Sequence, residues 1–189
     1  DLKKGIDECD SLLSQNEMFL ARTKGIGQIS GEDAIDFGVS GPMLRASGVA
    51  EDIRVTEPYS IYDRFEFGIP VGKYGDCWDR YYVRVEEMRQ SILIIEQAMA
   101  QMESGPIMAD IRRIARPPKG EVYVRTESPR GDLGVFLVSD GSDKPYRVKV
   151  RAPSFANLQA LQHLLRDSYI ADAVVILGSI DIILGEVDR

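Results

Sequence analysis

Trp78-Asp-Arg-Tyr-Tyr-Val-Arg-Val-Glu-Glu-Met-Arg-Gln-Ser-Ile-Leu-Ile-Ile-Glu-Gln-Ala-Met-Ala-Gln-Met102 is the stretch that decides the fold class. Trp78, Tyr81, Val85, Met88, Ile92, Ile95, Met99 and Met102 are spaced 3, 4, 3, 4, 3, 4 and 3 residues apart. A heptad-like seam of this kind belongs to a long α-helix packed along one side. The predicted helix covers 75–104 and would be about 40 Å long at 1.5 Å per residue. Asp76 suits its N-cap, because a carboxylate there accepts the free amides of the first turn. Gly105-Pro106 ends it.

Upstream, residues 1–24 read as one amphipathic helix. Leu2, Ile6, Cys9, Leu13 and Leu20 share a stripe. That stripe predicts antiparallel packing on the long helix, with a stop near Gly25. Residues 25–48 are glycine-rich. Within them Ser30 is placed to cap a short helix over 31–37, with Asp33 where a capping box has Glu. Gly41-Pro42 makes a turn, and 43–47 form another helical piece. Residues 49–73 read as an ordered loop packed by Tyr59, Tyr62, Phe65 and Phe67.

Downstream the period changes to two. Residues 121–126, 134–139 and 146–151 are rich in β-formers, and Ser128–Leu133 and Asp140–Pro145 carry turn chemistry. A small antiparallel meander follows. Residues 154–166 return to a helix, with Ser154 as its cap and Leu158, Leu161, Leu164 and Leu165 turned inward. Residues 169–177 form a last apolar helix before a Gly178-Ser179 turn and the tail. The class is α+β, mainly α: a multihelical fold with a small antiparallel β meander. One domain is expected, helical over 1–119, a meander over 120–151, then helices and tail over 152–189.

Hydrophobic residues make up 44% and charged residues 28%, a composition that supports a packed core and argues against disorder. The balance of 23 Lys+Arg against 30 Asp+Glu gives −7, with a pI near 4.9. An acidic surface repels a phosphate backbone, so nucleic acid is not an expected partner. No run approaches the ~20 apolar residues of a transmembrane helix. No signal-peptide pattern is present. Cys9 and Cys77 are too far apart in sequence for a zinc spacing or a disulfide framework, and read as reduced core residues of a cytosolic protein. The chain begins at Asp1 inside a helical pattern and without Met, which points to a fragment.

Few residues stand out chemically. Gly25, Gly27 and Gly31 miss the dinucleotide spacing and follow a helix rather than a strand, so they read as turn glycines between close helices. His163 is the only histidine. A metal site needs more ligands than one, and no partner for a catalytic pair is evident. Arg45 lies in an apolar, small-residue segment and has to find an acidic partner or a carbonyl cage. Glu127-Ser-Pro-Arg-Gly131 reads first as a β-turn with φ fixed by Pro129.

Four segments carry a resemblance. Glu127-Ser-Pro-Arg-Gly-Asp-Leu-Gly134 is similar to the Glu-Ala-Pro-Arg-Gly-x-Leu-Gly segment of nickel-iron hydrogenase large subunits. Gly41-Pro-Met-Leu-Arg-Ala-Ser-Gly48 resembles Gly-Pro-x-x-Arg-Ala-Ser-Gly of the D subunit of the proton-pumping NADH:quinone oxidoreductase, the respiratory complex I family. Tyr146-Arg-Val-Lys-Val-Arg-Ala-Pro-Ser-Phe155 is shared with the D subunit and the membrane-bound hydrogenases. The ending Asp181-Ile-Ile-Leu-Gly-Glu-Val-Asp-Arg189 falls where hydrogenases carry Asp-Pro-Cys-x-x-Cys-x-x-His. Asp181 matches the Asp, Ile183 and Glu186 replace the two cysteines, and Arg189 replaces the His. Without the thiolates a soft-metal site cannot be built there.

The resemblance implies the C-terminal part of a hydrogenase-like large subunit. The vacated metal pocket would then form part of a cavity for a quinone headgroup. Asp181, Ile183, Leu184, Glu186 and Arg189 are expected in or behind its wall. Arg45, Glu127 and Arg130 are expected as structural residues near it, Glu127 and Arg130 as a buried ion pair. Asp181 and Glu186, in an apolar tail, would have raised pKa values and relay protons. No catalytic residue, metal or cofactor is assigned to this chain. Quinone is the substrate, and the iron–sulfur cluster lies in a neighbouring small subunit. The partners implied are that subunit, a peripheral-arm neighbour and the rest of complex I, on the cytoplasmic face of the bacterial plasma membrane. NADH would feed the complex, coupled to proton translocation, and the isolated fragment would be inactive. Two rival readings remain. One is a working nickel-iron hydrogenase large subunit, disfavoured by the missing cysteine pair. The other is a non-catalytic interaction module whose heptad seam is an exposed partner face.

Overall fold

The computed structural model describes residues 1–109 and 116–188. It is α+β and mainly helical. The helices are α1 (Leu2–Leu13), α2 (Glu17–Thr23), α3 (Gly31–Asp36), α4 (Pro42–Ala46), α5 (Ile53–Thr56), α6 (Cys77–Ala100), α7 (Pro153–Leu158), α8 (Leu161–Leu164), α9 (Ile170–Ile180) and α10 (Leu184–Asp188). The strands β1 (Gly120–Ser128), β2 (Gly131–Ser139) and β3 (Arg147–Arg151) pair antiparallel in the order β1-β2-β3. Ser128 pairs with Gly131, which leaves Pro129-Arg130 as a two-residue hairpin tip.

Several caps follow the sequence. The Asp76 side chain accepts from Asp79 N at the start of α6, and that of Ser30 accepts from Asp33 N at the start of α3. The first helix is not continuous over 1–24. Ser14, Gln15 and Asn16 interrupt it, and the Asn16 side chain caps α2 by accepting from Phe19 N at 3.0 Å. Short polar side chains offer the backbone such an alternative to helix. The stripe is only partly covered within α1 itself: Ile6 is buried, but Leu13 is 41% exposed. Cys9 is exposed as well, against expectation, whereas Cys77 is buried. The helix expected over 154–166 is also two pieces. Pro153 takes the first helical position behind Ala152 at the N-cap, so Ser154 lies inside α7 instead of capping it. Gly178-Ser179 forms no turn and remains within α9.

Helix α6 organises the rest. α1 runs antiparallel along it, with Lys3 Nζ 2.6 Å from Glu96 Oε1, Arg89 Nη2 2.7 Å from Asp10 Oδ2, and the Ser14 and Tyr81 hydroxyls 3.2 Å apart. Ile6, Val85 and Ile92 are buried between the two helices, with Tyr81 against them. The seam is covered only in part: Met88, Ile95 and Met99 are exposed, and the helix ends at Ala100, short of Met102. The main core lies on the other side of α6, where Cys77 packs with Ile29, Ala34, Met43, Leu164, Ile176 and Ile180. This second buried stripe includes Asp79 and Arg80, which a search for apolar periodicity does not register.

The α1–α6 contact is expected to weaken in acid. The Ser14 hydroxyl and the Arg89 guanidinium hold the Asp10 carboxyl below its ordinary value. A depressed carboxylate stabilises above the unfolded value of 3.8, and that contribution is lost as pH falls through the lowered one. Below pH about 4, the usual carboxylate range, α1 amides are expected to lose hydrogen-exchange protection before those of α6. Asp10→Asn should weaken α1 protection at pH 7 and reduce the further loss in acid.

Candidate functional site

The tail is held by the tip of the hairpin. α9 ends at Asp181, whose left-handed backbone (φ 61°) turns the chain back. Arg130, at the hairpin tip, donates from Nε to the Asp181 carbonyl and from Nη2 to Asp181 Oδ1, both at 3.2 Å. From α6, Arg84 places Nε 3.8 Å from Asp181 Oδ2 and donates through Nη2 to the Ile180 carbonyl at 3.2 Å. Burial pushes the Arg84 guanidinium down to about 10, and Asp181 offsets only part of this. Asp181 thus sits between two guanidiniums, not in the apolar surroundings expected for a proton relay.

Beyond Asp181 the chain is pinned to α7. Ile183 N donates to Ser154 Oγ at 3.3 Å, and Glu186 Oε2 accepts from Ser154 N at 3.2 Å. Ser154 itself is buried, which makes it a firm anchor. Ile183 and Leu184 face outward, 44% and 67% exposed. Asp181, Ile183, Leu184 and Glu186 are therefore gathered along one short segment. Arg189 lies outside the described residues. A half-open groove of about 420 Å³ runs between α2, α6 and α9, and Asp181 lies at its edge. Ile183, Leu184 and Glu186 do not line it.

Two glycines and an asparagine set the position of the hairpin tip. Gly41 (φ 67°) and Gly131 (φ 131°) meet backbone to backbone. A Cβ on Gly41 would come within 2.7 Å of the Arg130 carbonyl, and one on Gly131 within 2.5 Å of Ser40 Oγ. Asn157 on α7 closes the arrangement. Its Oδ1 accepts from Ser40 N, and its Nδ2 donates to the Arg130 carbonyl, each at 3.0 Å. Ser40 Oγ in turn accepts from Asp132 N at 3.0 Å. Sequence reading missed Asn157. The available signal was a polar residue on the inward face of a helix, beside Leu158 and Leu161.

Arg45 has both kinds of partner expected of it. It is 2% exposed and donates to Glu87 Oε1 (2.6 Å), Glu127 Oε1 (2.9 Å) and the Glu51 carbonyl (2.7 Å), with Asp52 Oδ2 at 3.9 Å. Burial alone would lower its pKa, but Glu87 and Glu127 more than compensate and raise it. Burial likewise lifts the Glu127 carboxyl above its ordinary value, against the pull of Arg45. The expected Glu127–Arg130 pair does not form. Glu127 lies within β1 and turns toward α4 and α5, where its Oε2 also accepts from Ile53 N. Arg130, at the tip, reaches α9. The His163 ring lies 5.3 Å from that of Phe37, inclined at 58°, in keeping with a packed helix histidine. Among the described residues no group of three or more His, Cys, Asp or Glu side chains is placed to hold a metal ion.

The family model for the respiratory-chain NADH dehydrogenase 49 kDa subunit matches residues 1–119 and 111–189, which together cover the whole chain. The chain belongs to this family. It is 54% identical over 184 residues to the D subunit of the NADH-quinone oxidoreductase of Carboxydothermus hydrogenoformans, covering 97% of this chain and 50% of that one. The corresponding D subunit of Desulforamulus reducens is 54% identical over 187 residues (99% and 51%), and that of Clostridium beijerinckii 50% over 189 residues (100% and 51%). The chain spans about half the length of the curated relatives it matches. Three of the four recognisable segments supply residues to two ionic centres, Arg45 with Glu87 and Glu127, and Asp181 with Arg84 and Arg130, and the fourth meets the tail through Ser154.

Removing Arg45 would leave carboxylates buried without a counter-charge. Arg45→Ala is therefore expected to lower unfolding stability by about 3–5 kcal/mol, measured by denaturant titration. Glu127→Gln should cost less, since Glu87 remains on the guanidinium.

Proposed function

We propose that this chain is the part of a complex I large subunit, of the D type, that contributes the C-terminal segment of the quinone cavity wall. It would act within an oxidoreductase that passes electrons from NADH to quinone and couples this to proton translocation. The observation that carries the reading is the pinned, outward-facing apolar segment Ile183-Leu184, in a chain matched from end to end by the 49 kDa subunit family. A quinone ring and isoprenoid tail need an apolar wall with few polar groups. They also need that wall to stay in place, and Ser154, Arg84 and Arg130 fix the segment on both sides. Electrons would arrive from the iron–sulfur cluster of the small subunit, packed beside this one in the peripheral arm on the cytoplasmic face. No described helix is long and apolar enough to cross a membrane.

The hydrogenase reading is disfavoured by chemistry. Ile183 and Glu186 replace soft ligands, and the two thiols of the chain lie on α1 and α6.

The wall reading has a direct test in the assembled complex. Ile183→Glu should lower kcat/KM for quinone by about tenfold, equivalent to about 1.4 kcal/mol, with NADH:ferricyanide activity unchanged. An unaltered quinone KM and kcat would remove Ile183 from the wall. Reduction of quinone to quinol also takes up two protons with the two electrons. We assign Glu186 as the group that passes them, since it is a half-buried acid two residues beyond Leu184, whereas Asp181 is engaged by Arg84 and Arg130. Glu186→Gln should slow quinone reduction and proton pumping together; unchanged turnover and pumping would end the relay assignment.

A further inference from the structure

Helix α7 touches the tail and the hairpin tip from one side. Ser154, in its first turn, accepts from Ile183 N through its hydroxyl and donates its own N–H to Glu186 Oε2. Asn157 follows three residues later, a spacing that keeps it on the same face of the helix. It meets the tip through the Arg130 carbonyl. Arg130 reaches across to Asp181, two residues before Ile183. These contacts close a ring that runs from α7 through the hairpin tip, the end of α9 and the tail segment back to α7. A closed ring has little slack, because each contact limits the others.

Within the ring Asn157 has the most demanding chemistry. It is 1% exposed, and both ends of its amide are used. Oδ1 accepts from Ser40 N at 3.0 Å, while Nδ2 donates to the Ser40 carbonyl at 3.4 Å and to the Arg130 carbonyl at 3.0 Å. Asn157 thus pairs with the main chain of Ser40 as a neighbouring strand would, and its second amide hydrogen goes to the tip. A side chain without a donor here takes a partner from two main-chain carbonyls, which is costly inside a protein.

We propose that Asn157 is a positioning residue for quinone reduction. It touches neither quinone nor the reacting atoms. It fixes the hairpin tip on α7, and through Arg130 and Asp181 it fixes where Ile183 and Leu184 stand. The inference rests on the reading of that segment as cavity wall. Small displacements of a binding group far from the chemistry are enough to change the kinetics.

The amide supplies the handle for a test. Asn157→Asp keeps the shape and the acceptor for Ser40 N, but the new carboxyl has no donor while it is ionised. Protonated, it donates to the Arg130 carbonyl again. Burial against carbonyls raises the pKa of such a carboxyl, so the donor returns as pH falls through that raised value and is lost above it. The charged side chains brought to the ring are Arg130 and Asp132 of the hairpin, Asp181 at the end of α9 and Glu186 of α10. They titrate alike in the parent and the variant, so the two are compared at the same pH.

In the assembled complex, Asn157→Asp is expected to raise the quinone KM about tenfold at about pH 8, with kcat, NADH:ferricyanide activity and subunit content unchanged. Toward about pH 6 the KM should return to within about twofold of the parent value. Asn157→Ala, with no donor at any pH, should show the loss throughout. An unaltered quinone KM in both variants overturns the proposal. So does a loss confined to subunit content, or the failure of both variants to assemble, since either makes Asn157 a residue of folding only. Ile183→Glu keeps the two readings apart. If it raises the quinone KM and the Asn157 variants do not, the positioning role falls alone. If it is silent while Asn157→Asp shows its pH-dependent KM, the wall reading falls alone.

Discussion

Arg80 is 0% exposed, and a cation removed from water must be met by an acceptor wherever its donors point. In this chain it is met almost wholly by neutral groups. Nη1 donates to the Gly75 carbonyl, Nη2 to the Gly27 carbonyl and Cys77 Sγ, and Nε to Ser179 Oγ. The start of α6, the loop before α3 and the last turn of α9 therefore meet around one guanidinium. Burial lowers its pKa, and the nearby acids Asp76 and Asp79 counter this only in part, so the acceptor cage carries most of the compensation. Gly27 is part of the same constraint. A Cβ there would lie 2.8 Å from Ile176 Cγ1 and 3.2 Å from Arg80 Nη2, so a side chain would push apart the helix and the loop that the cage joins.

The segment after α9 inherits its position from this constraint in two steps. Arg84, one turn after Arg80 and bonded to its carbonyl, holds the end of α9. Arg130 then fastens Asp181 from the opposite direction, and its own place is set by the contact of Gly41 with Gly131 and by Asn157. Exposed Ile183 and Leu184 are thus apolar side chains on a stiff backbone. A binding wall needs that combination, because ordering a loose segment on binding would cost affinity.

Much of this was legible in the sequence, and the parts that were not share a cause. The long helix, its Asp76 cap, the Ser30-capped helix and the three strands follow from periodicity and turn chemistry. The motifs identified the segments that converge in space. The second buried face of α6 escaped, because Asp79, Arg80 and Glu87 read as solvated when only apolar spacing is counted. They are inside or nearly so because each has a specific partner: Asp79 accepts from the amides of Lys73, Tyr74 and Gly75 in the preceding loop, while Arg80 and Glu87 meet partners far away in sequence, Ser179 at 99 residues and Arg45 at 42. The Glu127–Arg130 pair was misassigned for a related reason. Proximity along a hairpin does not fix direction, and the two side chains leave the turn toward different helices. The exposed half of the seam looked like core because sequence pattern cannot distinguish a face covered within the chain from one left open.

The Arg80 cage also has an order in time. Its Nε acceptor, Ser179, follows 99 residues later. At a ribosomal pace of 5–20 residues per second, roughly 5–20 s separate synthesis of the cation from synthesis of that acceptor. During that interval the nascent guanidinium has only part of its shell and must stay hydrated. The inner side of α6 therefore cannot dry and lock until translation has passed the end of α9.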